Sequence, residues 1–461
     1  MIRKTTSQIS LFEPRTPIDF PLEGFVPKSS KWAILAERFS WDKLEKAFGK
    51  HYESGIGAPS VPIRRMVGLL LIAQIENLSD EKTVENWRGN AFWQFFCGEL
   101  YLQNSVPCAA SLLSVFRKRI GEEGARLIFA LSVSLHGDKA EEKRVRVDTT
   151  VQPKNITYPT DSKLYFGIIN RLHKLIQSEG IVPRRSYVRE LKKLRLPLRF
   201  FGQPKKAKVA KKALRRLKTI AGALLRDVQR KLPVRLREEL AEDFEFYQKA
   251  LDQKRNDKNK IYSLHERDVS CVAKGKARQK YEYGSKCGIA QCAKSGVIVG
   301  ATVHEGNPHD SKTLGATLES ANSNRRTEVA EVVCDRGYKG AVQVNGATVL
   351  IPGATKYSGG YSKRTLRKIF RSRAGIEPVI GHLKSDFKLN LCRLKGLTGD
   401  VFNLFMACSA WNFKLLVRGA LRLFFVFLPK SAFFRLVFPF STNFDQFPHE
   451  KNPTRNFLKI D

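Results

Sequence analysis

Three acidic residues in this chain have neighbours that suggest chemistry. Asp148 follows Arg144-Val145-Arg146-Val147 and precedes Thr149-Thr150-Val151, while Asp335 closes Glu331-Val332-Val333-Cys334 and precedes Arg336-Gly337-Tyr338. Both follow short β-branched runs, the pattern by which a strand delivers a carboxylate to the edge of a sheet. Glu377 lies in Phe370-x2-Arg373-x3-Glu377-x6-Lys384. At about 100° per residue, Arg373, Glu377 and Lys384 would fall within roughly 40° of one another on one helix. By itself such a face reads equally well as an exposed charged surface with an i,i+4 pair worth a few tenths of a kcal/mol. Together with two strand-end aspartates it reads as a site. Three carboxylates can hold two Mg²⁺ ions about 3.5–4 Å apart, an arrangement that activates water and stabilises the leaving oxygen of a phosphodiester. Mg²⁺ takes hard oxygen ligands and keeps waters, so few protein ligands suffice; Mn²⁺ is the alternative ion.

The rest of the chain must place those acids and bring a substrate to them. It has 461 residues, enough for two or three domains, and a formal net charge of +37. A single-sign excess of this size calls for a polyanionic partner, with nucleic acid the first candidate and an anionic membrane the other. Against the membrane, the most apolar stretch, Leu421–Lys430, is interrupted by Arg422, Pro429 and Lys430, well short of the roughly 20 apolar residues of a span. No secretory h-region follows Met1-Ile2-Arg3-Lys4. The eight cysteines form no C-x2-C pair, which suggests reduced thiols rather than a zinc site or a disulfide framework. A cytoplasmic, nucleoid-associated protein is expected.

Residues 1–30 are polar and Pro-rich, an N-terminal arm. Residues 31–141 carry helical spacing throughout, with a start at Ser60-Val61-Pro62 and another at Ser79-Asp80-Glu81. A later helix near Ser111 bears Arg117-Lys118-Arg119, which suits a DNA-binding domain, although a plain helical bundle with a basic surface accounts for the same pattern. Residues 142–162 and 269–420 read as a mixed sheet with covering helices. The expected strands are 281–284, 296–304, 330–335 and 345–352, followed by a helix from Arg364 to about Leu391 in which Pro378 forces a kink or a restart. Asp310 or Ser311 would cap the helix after Asn307-Pro308-His309, with a metal-adjacent role for His309 and Asp310 as the alternative, and His304 would pack at a strand end. Residues 163–268 form a basic helical insertion. Between Arg184 and Arg237 there are twenty Lys and Arg against only Glu190 and Asp227. Self-paired surface helices alternate sign, so this run is read as phosphate contact. Residues 421–461 form an atypical, Phe- and Pro-rich tail.

With these motifs in hand, the chain resembles bacterial insertion-sequence transposases of the DDE class, specifically the insertion sequence 5 group. The resemblance spans about Trp32 to Leu416. Its N-terminal part rests on Trp41-Asp42-Lys43-Leu44, Glu76-Asn77-Leu78-Ser79-Asp80-Glu81 and Phe92-Trp93-Gln94-Phe95-Phe96. Its core rests on Val147-Asp148-Thr149-Thr150-Val151, Asp335-Arg336-Gly337-Tyr338, Arg373 to Leu394 and Trp411-Asn412-Phe413. The resemblance implies an α/β ribonuclease-H-like catalytic core, interrupted by the basic insertion and preceded by an all-α domain. It also implies Mg²⁺ as cofactor, held by Asp148, Asp335 and Glu377, and the terminal inverted repeats of a mobile element as DNA partner. Arg373, Lys384, Arg117, Lys118 and Arg119 are the expected DNA contacts, and a homodimer or larger assembly on DNA is expected because two ends must be joined. Phe370 stands where related proteins often carry Tyr. The rivals are a metal nuclease that cuts without joining and a nucleic-acid-binding relic without activity.

Overall fold

The computed structural model describes residues 20–52, 60–254, 256–273, 280–340, 342–353 and 360–427. The arm before residue 20 and the tail beyond residue 427 lie outside the described residues. The N-terminal region forms helices α1 (Lys31–Arg38), α2 (Trp41–Gly49), α3 (Ile63–Ile75), α4 (Asp80–Trp87), α5 (Ala91–Phe96) and α6 (Ala110–Ser134). Local chemistry sets their starts. Ser30 and Ser79 accept the N–H of Ala33 and Lys82, and Asp80 and Glu81 sit at the positive end of α4. α6 breaks at Gly121, where φ is +58°, so the basic run Arg117–Arg119 ends one helical segment.

After β1 (Arg144–Pro153) the chain leaves the sheet for α7 (Asp161–Ser178), α8 (Val188–Leu198), α9 (Ala207–Lys231), α10 (Val234–Glu239) and α11 (Ala241–Asp252). These helices enclose an apolar cluster of their own, built on Ile168 and Leu172 of α7, Leu217 and Leu224 of α9, and Phe244 and Tyr247 of α11. Burying that stripe turns the opposite face of α9, with Lys208, Lys211, Lys212, Arg215 and Lys218, to solvent. The acids of the segment are already taken: Glu190 pairs with Arg216 at 2.6 Å, and Asp227 accepts the Arg184 N–H at 2.7 Å.

The sheet then resumes with β2 (Ser270–Ala273), β3 (Tyr281–Cys292), β4 (Ile298–His304), helix α12 (Asp310–Ser323), β5 (Glu331–Val333), β6 (Gln343–Val344) and β7 (Ala347–Leu350), followed by α13 (Lys363–Arg373), α14 (Ile376–Ser385) and α15 (Gly396–Phe427). The strand order is β2-β3-β1-β5-β7-β6, with β4 also pairing β3. β3 runs antiparallel to β1, β2 and β4, whereas β1, β5 and β7 are parallel. This is a mixed sheet with covering helices, consistent with a ribonuclease-H-like core. One boundary differs from expectation: α15 runs through residue 420 to Phe427.

β3 is far longer than its sequence suggests. Gly284-Ser285-Lys286-Cys287-Gly288 has little β propensity, yet the strand is held on both edges and almost wholly buried. The apolar core runs from this sheet through α15 into the N-terminal helices. Phe129 meets Phe405 at 5.3 Å between ring centres, Phe39 meets Phe413 at 5.2 Å, and Gln74 donates to the Phe387 carbonyl at 2.7 Å. Asn412 on α15 closes the rim of β4, exchanging hydrogen bonds with both backbone groups of Ile298.

The seat of α12 on β4 depends on Gly300. A Cβ there would lie 2.8 Å from the Ala321 nitrogen and the Thr317 carbonyl oxygen, both backbone atoms that cannot turn aside. Gly300→Ala is therefore expected to lift α12 and cost about 1–3 kcal/mol, measured as a lowered urea midpoint.

Candidate active site

β1 and β5 pair in parallel only over Arg144–Arg146 and Glu331–Val333. Asp148 and Asp335 each stand two residues beyond the last pair, Arg146 and Val333, so both follow the point at which the two strands part. Asp335 does end its strand. Its Oδ1 accepts the Gly337 N–H at 2.8 Å and opens a 3₁₀ turn over Arg336–Tyr338. Asp148 does not, and here the sequence expectation is corrected. β1 continues to Pro153 because β3 supports it along its other edge, with Ile289 opposite Asp148. The carboxylate thus sits mid-strand, at the notch where β5 leaves β1 unpaired. Its Oδ1 accepts the Thr149 N–H at 2.8 Å.

Glu377 reaches the same region from a different arrangement than expected. The predicted single helix is two: α13 ends at Arg373, the chain bends at Ala374-Gly375, and α14 starts at Ile376. Pro378 falls in the first turn of α14, where its missing N–H costs nothing, so the restart precedes it. Arg373 and Lys384 therefore do not share one continuous helical face. Arg373 still donates to Glu377 Oε1 at 2.9 Å, and its other guanidinium nitrogen lies 3.9 Å from Asp148 Oδ2. α13 is fastened to the sheet by Ile369 on Val333 and Leu350, with Phe370 packed against the same cluster. Lys384 stands 3.7 Å from Glu282 at the start of β3.

One cation, Arg373, thus stands between Asp148 and Glu377. Among the described residues, no three His, Cys, Asp or Glu side chains close into a ready metal cage. The donor chemistry nevertheless fits a divalent ion, since the acids offer hard oxygens and the fold already gathers two of them about one positive charge. Glu377 is the most accessible of the set, with 58% of its side chain exposed, so it has room to swing. Beneath the site, burial first, then Asp335 and Asp148, push the Cys334 thiol well above its ordinary value, while Arg373 pulls the other way. Burial, followed by Cys334, Asp148 and Asp310, likewise raises the Tyr338 phenol. Both groups are therefore held in their uncharged forms.

Of the basic residues of α6, Arg117 is turned onto Asp80 in a two-pronged ion pair, with the contact to Oδ2 at 2.6 Å. Arg119 lies over the Tyr52 ring at 4.6 Å, and Lys118 is exposed. The sequence reading missed Lys286 and Thr149 and offered Asp310 only as a cap or a metal-adjacent residue; Asp310 meets Thr149 Oγ1 at 2.8 Å and Lys286 at 2.5 Å. Burial works to raise the Asp310 carboxyl, but Lys286 and Thr149 outweigh it and hold the group below its ordinary range. The cap of α12 is His309, not Asp310 or Ser311: its ring accepts the Ser311 N–H, which leaves the Asp310 carboxylate to face the sheet. His304, at the end of β4, is kept uncharged, its pKa lowered to about 4 by burial and by Lys286 against the pull of Asp310. No local signal in the sequence joins residues 149, 286 and 310.

Residues 20–119 match a transposase domain, DUF772, and residues 263–413 match a transposase DDE domain. The two matches cover the helical N-terminal region and the sheet from α15 back to the end of the insertion. Uncharacterized protein ORF8 in the nfe locus of Rhizobium meliloti is 38% identical over 196 residues, covering 41% of this chain and 91% of that protein. The chain belongs to the DDE transposases. No solved structure matches the transposase. Asp335 and Glu377 fall inside its matched DDE segment, whereas Asp148 lies upstream, beyond the insertion. No helix among the described residues of the transposase is long and apolar enough to cross a membrane, and its eight cysteines are free thiols.

Proposed function

We propose that this transposase, of the insertion sequence 5 group, binds the terminal inverted repeats of an insertion sequence, cuts a strand at the element's end and joins the freed 3′-OH to target DNA. The observation that carries this reading is Arg373, which reaches Asp148 at 3.9 Å and Glu377 at 2.9 Å beside the point where β5 leaves β1, with Asp335 at the end of β5. Two Mg²⁺ ions, with Mn²⁺ as substitute, would supply water activation and leaving-group stabilisation when held by these three carboxylates. The chain's own residues do the rest. Thr149 orients the Asp148 carboxylate, and the Gly337 N–H orients that of Asp335. Arg373 and Lys384 would hold the phosphates flanking the scissile bond. Hydrolysis and strand transfer are both in-line displacements at phosphorus, so one site serves both, and two copies of the chain are needed to hold two ends.

Exposed cations on α9, with Lys118 and Arg119 on α6, lie where they can contact the phosphate backbone. Each phosphate contact contributes about 0.9 to the slope of log K against log salt. Replacing Lys211, Lys212, Arg215 and Lys218 together by Gln should therefore flatten that slope by about 3 to 4 in a gel-shift titration over salt. An unchanged slope would remove the insertion from the DNA interface.

The deciding test is a Mg²⁺-dependent cleavage and strand-transfer assay on DNA carrying the element's ends, comparing wild type with Glu377→Gln. Joining by wild type that disappears in the variant supports the reading. Cutting without joining would favour a nuclease, and binding without chemistry in either protein would point to a relic.

A further inference from the structure

Asp310 is distant from the three acids in sequence, yet its carboxylate is tied to two of them. Oδ1 accepts the Thr149 hydroxyl at 2.8 Å and lies 2.5 Å from Lys286 Nζ. Lys286 is itself pinned, since Nζ also donates to the Pro308 carbonyl at 2.7 Å and only 9% of its side chain is exposed. Thr149 passes the connection on, its N–H donating to Asp148 Oδ1. An ordered path therefore runs from Lys286 through Asp310 and Thr149 to the Asp148 carboxylate. The other Asp310 oxygen faces Asp335 across Gly337. A Cβ at Gly337 would stand 3.0 Å from both Asp310 Oδ2 and Asp335 Oδ1, so the two carboxylates border one space that a side chain at 337 would crowd. Adding a fourth acid to three would ordinarily be repulsive, and Lys286 offsets that charge in place.

We infer that Asp310 is a positioning residue of the transposase, clamping Thr149, and through it the Asp148 carboxylate, in the orientation in which Asp148 and Asp335 take a divalent ion. The inference rests on the proposed role of Asp148. Partners that orient a metal-binding side chain typically contribute 10–100-fold in metal affinity or activity. Loss of the clamp should therefore raise the ion concentration needed and leave DNA binding untouched.

The test uses the full-length protein and two readouts: Mn²⁺ binding by calorimetry, and Mg²⁺ titration of end cleavage. In both, Asp310→Ala and Thr149→Val should shift the half-saturating ion concentration upward by about 10–100-fold, with end binding unchanged. Thr149→Val should also keep the urea midpoint, whereas Asp310→Ala leaves buried Lys286 without its anion and should lower it. Thr149→Ser, which keeps the hydroxyl, should restore the wild-type value. A wild-type ion response in Thr149→Val, or a defect that Thr149→Ser does not repair, overturns the inference. So does an Asp310→Ala effect that tracks lost stability without an ion shift in Thr149→Val. Asp148→Asn separates the two levels of the argument. If it still binds Mn²⁺ like wild type, or if wild type binds none, the site assignment itself fails. If Asp148→Asn abolishes ion binding while Thr149→Val binds normally, only the role of Asp310 falls.

Discussion

Asp148→Asn and Glu377→Gln are each expected to reduce strand cleavage on the order of 10³-fold or more, as removal of one member of a unit that acts together does. That loss corresponds to about 4 kcal/mol of barrier. Both substitutions keep side-chain volume and remove one negative charge, and neither residue is deeply buried, with 20% and 58% of their side chains exposed. The fold should survive, so element-end binding measured by gel shift should remain within a few-fold of wild type. Asp148 leans on two neighbours, Thr149 and Arg373, and Glu377 on Arg373 alone among the contacts described above. Retention of cleavage by either variant would remove that residue from the site. Loss of binding along with cleavage would show instead that the carboxylate supports structure.

The largest effect on stability is expected where the insertion rejoins the sheet. Lys154, just past the end of β1, and Asp400, on α15, form an ion pair at 2.6 Å, each with 2% of its side chain exposed. Ser285 donates to the second Asp400 oxygen at 2.6 Å, and Glu266, at the exit of the insertion, stands 3.4 Å from Lys154. Asp400→Ala strips Lys154 of its nearest anion while leaving it buried, a change that costs about 3–5 kcal/mol when one partner of a buried pair is lost. The readout is the urea midpoint, and Asp400→Asn, which keeps an acceptor, should lose less. The pair also has a pH signature. Burial alone would lower the Lys154 pKa, but Asp400 outweighs it and raises the group above its ordinary 10.5. A base raised on folding contributes its full share below the unfolded value and loses it as pH climbs through the folded one. Wild type should therefore lose stability above about pH 10.5 more steeply than Lys154→Met.

Much of the candidate site could be read in sequence because it is built from local patterns. Asp335-Arg336-Gly337-Tyr338 is a strand end followed by an Asp-initiated turn, and every hydrogen bond that defines it lies within three residues. The start of α4 and the amphipathic stripe of α9 are local as well; of the prolines in the insertion, Pro204 and Pro233 stand where new helical segments begin, whereas Pro197 lies inside α8. Predictions failed where a partner distant in sequence decided the outcome. Asp148 looked like a strand end because Thr149 and Thr150 gave no hint that β1 continues, and it continues because β3 holds its far edge. β3 in turn was hidden by Gly284 and Gly288, which are poor strand residues chosen for close neighbours. A Cβ at Gly284 would lie 2.0 Å from the Gln152 carbonyl, and one at Gly288 would lie 2.2 Å from Thr317 Oγ1.

What the sequence carried by itself was membership of the DDE transposases, the three acids proposed for the site, and a net charge of +37 that suits a polyanionic partner. Composition and local hydrogen bonding are properties of short segments, and folding does not alter them. What only the tertiary structure decided was which charges meet. Arg373 and Glu377 came together across a helix break instead of along one helix, and Arg117 was turned from a presumed DNA contact onto Asp80. Asp310 was brought from a helix start to Thr149, beside Asp148, because α12 packs across β4 and β3. Such pairings depend on side chains far apart in sequence being held within about 3 Å, a distance set by the packing of the whole sheet and not by any one of its segments.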